Sequence, residues 1–142
     1  MPLTSKSNPT DIALVEMHDA RVEELRIPMN GSCVLRFEHL TVYRERAAER
    51  FAIWSYRASL ELREVERVVV NEARIDHDYV SDGSALRGSE ELPWQTLLHR
   101  QQVSRVEFTF GSGRQIEIDC KEAHLILDEA VRVIEEWTGP LL

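Results

Sequence analysis

The sequence predicts an α+β, mainly β fold: a curved antiparallel sheet or half-barrel with a C-terminal helix packed on one face. Three observations carry this. Val106 to Asp119 (VEFTFGSGRQIEID) alternates apolar and polar residues on both sides of Gly111-Ser112-Gly113, the pattern of a β-hairpin. Further alternating runs, joined mostly by short turns, recur along the chain. Ala130, Val133, Ile134 and Trp137 instead recur at helical spacing.

In chain order, residues 1–10, with Ser5, Ser7, Asn8, Pro9 and Thr10, read as a flexible lead-in to one globular domain spanning 11–142. Ile12 to Met17 is mostly apolar, and Val22, Leu25 and Ile27 leave strand and helix in competition until Pro28 closes the segment. Asn30-Gly31 is a tight-turn signal that favours strand. Cys33, Leu35 and Phe37 then alternate with Val34, Arg36 and Glu38, predicting a second strand to about Tyr43. Arg44 to Arg50 is polar without Gly or Pro, and reads equally as a helical turn or a strand-edge loop. Phe51 and Ile53, then Tyr56, Ala58, Leu60 and Leu62, mark one long strand whose parity shifts near Trp54 and Ser55, as at a bulge. Val65 and Val68 to Val70 form a β-branched run that extends this strand or starts another. Asn71 to Pro93 reads as a long irregular acidic loop with a short strand around Ile75 to Val80, and loops of that length are usually functional or mobile. Trp94 to Gln102 predicts a short helix with Trp94, Leu97 and Leu98 on one face.

In the hairpin that follows, Val106, Phe108, Phe110, Ile116 and Ile118 share a dry face. Glu107, Thr109, Glu117 and Asp119 share a wet, acidic one. Leu125 to Leu127 predicts one more strand. Asp128 is the expected N-cap of the last helix, whose apolar stripe includes Trp137, and Gly139-Pro140 is its stop.

The 142 residues are 43% hydrophobic, consistent with one domain, and chains of about this size bury roughly 68–70% of the surface exposed by the unfolded chain. The net charge is −8, and residues 61–91 carry 9 acids against 4 bases. Such a surface repels phosphate backbones and attracts a basic protein, so no nucleic-acid partner is expected. No run approaches the roughly 20 apolar residues of a membrane-spanning helix, and no apolar leader follows Lys6, so the expectation is a cytoplasmic chain without membrane partners. Cys33 and Cys120 lack C-x-x-C spacing and read as buried, reduced thiols.

No cofactor or metal is expected. His18-Asp19 lies in a strand, where neighbours point to opposite faces, and lacks the helical scaffold of HD-type metal phosphohydrolases. Asp76, Asp78 and Asp82 miss the calcium-loop pattern, which would need a ligand and a glycine where Val80 and Ser81 stand. Cys120 and His124 are four apart, but Cys120 extends the apolar face of the hairpin. Ser112 lies in a strand-to-strand turn and not in a nucleophile elbow. Trp94, at the rim of the acidic segment, reads equally as core or as an exposed contact residue.

Met17 to Leu25 (MHDARVEEL) and Val106 to Cys120 (VEFTFGSGRQIEIDC) resemble segments of small bacterial β-rich proteins with an N-terminal HDA or HDS strand. Some proteins similar to these are thought to act as immunity proteins beside secreted toxins. The resemblance implies a single β-rich domain and carries over no catalytic residue.

The expected function is a non-enzymatic protein-binding module, an immunity-type inhibitor that masks a basic toxin surface. Asp76, Asp78, Asp82, Glu90, Glu91 and Trp94 are the expected partner-binding residues. His18, Asp19 and His39 are candidate functional residues for the alternative, a small ligand-binding protein or enzyme with a pocket in the curved sheet. A third reading is a self-associating structural protein that forms a homodimer through a sheet edge.

Overall fold

Apolar alternation dictates nearly every element of the computed structural model, which describes residues 9–27, 30–71 and 76–141. Three long strands open the chain: β1 (Ile12–Arg26), β2 (Cys33–Ala47) and β3 (Arg50–Arg63). They are followed by β4 (Arg67–Val70), β5 (Asp76–Arg87), β6 (Glu90–Leu92), a 3-10 helix (Trp94–Leu98) and β7 (Gln101–Gln102). The hairpin β8 (Arg105–Phe110) and β9 (Gln115–Asp119) precedes the longest strand, β10 (Glu122–Thr138). All strand pairs are antiparallel, in the order β4-β9-β8-β5-β1-β2-β3-β10-β7 with β6 beside β5. The sheet curls without closing, so β4 and β7 remain its two ends.

One apolar core fills the concave side. Its largest fully buried side chains include Phe37, Phe108, Phe110, Leu60 and Leu125. Trp94 stacks on Phe108 at 5.5 Å between ring centroids, and Phe37 meets Phe108 edge-on at 6.4 Å. The 3-10 helix packs against β1 and β10, and it buries Trp94, Leu97 and Leu98 on the face predicted for them. It is one short helical turn rather than a helix reaching Gln102. Cys33 and Cys120 are both buried and unbridged. Burial pushes the Cys33 thiol up to about 11 and the Cys120 thiol up to about 12, with Cys33 itself the next cause.

The C-terminal helix is not formed; its residues belong to β10. Along β10 the register against β3 slips between Leu127 and Glu129, between Ala130 and Arg132, and between Val133 and Glu135. Each slip adds one residue to the usual spacing of two, so Leu127, Ala130 and Val133 stand opposite Ala58, Tyr56 and Trp54 at intervals of three. A strand bulged this way imitates a helical i, i+3 pattern. Asp128 is not a cap: it accepts a hydrogen bond from Ser59 Oγ at 2.6 Å. Trp137 is not in the core but 45% exposed.

Other expectations shift in the same direction, from loop to strand. The acidic segment 71–93 is largely the hairpin β5/β6, joined by a tight turn at Gly88-Ser89. Arg44 to Ala47 completes β2, and the connection to β3 is a short turn. Near Trp54 and Ser55 the pairing with β2 is regular, so β3 carries no bulge there. Trp54, Tyr56, Ala58, Leu60 and Leu62 face or pack against the core, while Phe51 and Ile53 are buried on the opposite face. Two apolar faces, and not a parity shift, explain that run. Pro28 and Ile75 lie outside the described residues.

Candidate functional site

The hairpin fixes which side chains reach water. Val106 and Ile118 pair inward, and Ala85 and Leu92 extend that inward row. The rows beside it must therefore point outward. One runs Glu91, Leu86, Arg105, Asp119, Arg67, and the next runs Ser84, Glu107, Glu117, Val69. A third runs Asp82, Thr109, Gln115. The outer face of β6-β5-β8-β9-β4 thus carries Asp82, Glu91, Glu107, Glu117 and Asp119 against Arg67 and Arg105. Asp82, Ser84, Glu107, Thr109 and Glu117 line a shallow depression of ≈ 220 Å³ at its centre.

Glu107 and Glu117 stand directly opposite each other across the hairpin, an arrangement that destabilises a strand pair. Arg105 mitigates it, 3.6 Å from Glu107 and 3.7 Å from Glu117. Its stronger attachment is to Asp119 at 2.7 Å. That hydrogen bond, with the neighbouring carboxylate charges, holds the Arg105 guanidinium above its usual range.

Of the expected partner-binding residues, Asp82 and Glu91 join this face. Glu90 sits at the β5/β6 turn, 4.0 Å from Arg87. Asp78 serves the fold: it accepts from Ser112 Oγ at 2.5 Å and from the Tyr79 amide at 2.9 Å, with Arg114 at 4.0 Å. It ties the Gly-Ser-Gly turn to β5 and its side chain is only 12% exposed. Asp76 stands opposite Glu24 in the ladder with β1. Trp94 is 8% exposed and stacked in the core, so it is no exposed contact residue. Alternation alone places Glu107 and Glu117 on a wet face without joining them to the other carboxylates. Their direct opposition, read from the hairpin register, was the available signal.

A second polar site lies on the outer side of β1, β2, β3 and β10. The β1/β2 ladder slips between Glu16 and Arg21, and the β2/β3 ladder slips between Phe37 and Leu40. With the β10 bulges beside them, these irregularities open a depression of ≈ 540 Å³ lined by Asp19, Arg21, Glu38, His39, Tyr79 and Arg132, among others. His39 Nδ1 lies 2.6 Å from Ser55 Oγ and Nε2 lies 3.2 Å from Thr41 Oγ1. Burial lowers the His39 pKa, Arg132 lowers it further, and Asp19 opposes both. The Arg21 guanidinium donates to Tyr79 OH at 3.0 Å and pairs with Glu38 at 2.7 Å.

No family model, curated protein or solved structure matches this chain. Its own geometry carries the functional reading.

His18 and Asp19 depart from strand alternation. Asp19 takes a positive φ of 68°, and this places both side chains outward, His18 Nε2 3.6 Å from Asp19 Oδ1. His18 Nδ1 donates to the Ser81 carbonyl at 2.8 Å. The two are neighbours on one face rather than on opposite faces, yet among the described residues no His, Cys, Asp and Glu side chains form a group able to hold a metal ion.

Proposed function

We propose that this chain is a non-enzymatic protein-binding module that engages a basic partner through the outer face of β6-β5-β8-β9-β4. The observation that supports it most is the facing pair Glu107 and Glu117, flanked by Asp82 and Glu91 on the same surface. A stretch of sheet that keeps like charges in opposition loses stability by doing so. A basic partner removes that repulsion on binding and is steered toward it beforehand. An immunity-type inhibitor masking a basic toxin is the form of this function that the sequence resemblance favours.

The test is co-purification of partners from lysate of the source cell with the wild-type chain and with the variant D82N/E91Q/E107Q/E117Q. The expected result is a basic protein that leaves wild type as salt rises and does not bind the variant. Equal retention by both would refute the electrostatic face.

A second reading, a small-ligand site at His39, is favoured by one observation: a desolvated imidazole beneath an open polar depression. His39 has both nitrogens engaged by hydroxyls, and Ser55 is 4% exposed. These features support binding there more than nucleophilic chemistry. Perturbation of the His39 imidazole resonances by a small-molecule library would support this reading, and none would count against it.

A further inference from the structure

The last ten residues of β10, 129–138, are all exposed. Among them Val131, Val133, Ile134 and Trp137 are between 43% and 49% exposed. One side of β10 is paired with β3 as far as Thr138. On the other side β7 covers only Glu122 and Ala123, so residues 129–138 present a strand edge with no partner strand among the described residues. A long edge with free backbone groups and apolar side chains is a template for another strand.

We propose that this edge pairs antiparallel with the same edge of a second copy of the chain. The charge pattern selects the second copy. Arg132 and Glu135 face Ser55 and Ile53 across β3 and so share the outer face, while Val133 and the bulged Ile134 fill the single position between them. A two-fold axis through Val133 and Ile134 brings apolar groups together at its centre. It also sets Arg132 opposite Glu135 of the partner subunit, twice by symmetry. Axes centred on Arg132 or on Glu135 would oppose like charges, and an axis between Ala130 and Val131 would set Arg132 opposite Glu129 but place smaller apolar groups at its centre. The register through Val133 and Ile134 is therefore the one that joins both opposite charges and the larger apolar side chains. This surface lies on a different strand from the acidic face, and the inference does not rest on the function proposed for that face.

Sedimentation velocity of the full chain over a concentration series is the test, run on wild type, R132E, the double swap R132E/E135R, and I134K. The altered residues are exposed, and circular dichroism verifies that each variant folds. Wild type is expected to form a dimer, with R132E weakening it by about tenfold or more, I134K abolishing it and the double swap restoring it. A wild-type chain that stays monomeric throughout, or a dimer indifferent to R132E and I134K, would overturn the proposal.

Discussion

Gly83 shows how closely a single residue is held. A Cβ built there would stand 2.9 Å from Phe108 Cδ1, inside van der Waals contact with the aromatic centre of the core. Gly83→Ala is therefore expected to destabilise the fold by about 1–3 kcal/mol, the usual cost of overpacking, measured by urea unfolding. Wild-type stability in G83A would mean that the Phe108 ring has room to move. His39 makes a second expectation at this scale. Its folded pKa lies below the ordinary value because burial and Arg132 disfavour the imidazolium. Sign follows from linkage: the unfolded chain binds the proton first, so the His39 contribution is present above the ordinary histidine pKa of about 6.5 and is lost as pH falls through the depressed folded value. NMR titration should find its midpoint below the ordinary histidine value, and His39→Gln should flatten stability between neutral and mildly acid pH. A midpoint at or above the ordinary value would contradict the half-buried, neutral imidazole.

At the scale of the element, the β8/β9 hairpin was legible because Gly111-Ser112-Gly113 and strict alternation both point to it, and its faces are those the pattern assigns. β10 was misread because bulges at intervals of three place Ala130 and Val133 where a helix would, while its β-branched Val131, Val133 and Ile134 favour strand. The β5/β6 hairpin was hidden by composition: Asp, Ser and Gly suit loops in isolation, and pairing with β1 and β8 overrides that preference. Charge alone singles out Asp82 and Glu91, but their grouping with Glu107 and Glu117 on one face depends on strand order, which local patterns do not encode. One consequence is measurable. Glu117→Lys replaces a like-charge pair by an opposite-charge one and should stabilise the fold by about 0.2–1 kcal/mol while weakening capture of a basic partner. Loss of stability would show instead that the Arg105–Glu117 contact outweighs the repulsion.

For the whole molecule, one curled sheet carries three surfaces: the acidic face on β6-β5-β8-β9-β4, the His39 depression on β1, β2, β3 and β10, and the exposed edge of β10, the last two meeting at Val131 and Arg132. The core that joins them is apolar and holds two buried thiols of raised pKa, which disfavours thiolate chemistry inside it. Association at the acidic face should fall steeply with ionic strength, since its charges are exposed and screened over about 8 Å at physiological salt. The most direct measurement is amide chemical-shift mapping of the labelled chain with the basic protein it captures. Perturbations are predicted to centre on Asp82, Ser84, Glu91, Glu107, Thr109 and Glu117. Perturbations confined to the His39 depression or to the β10 edge, with this face silent, would contradict the account.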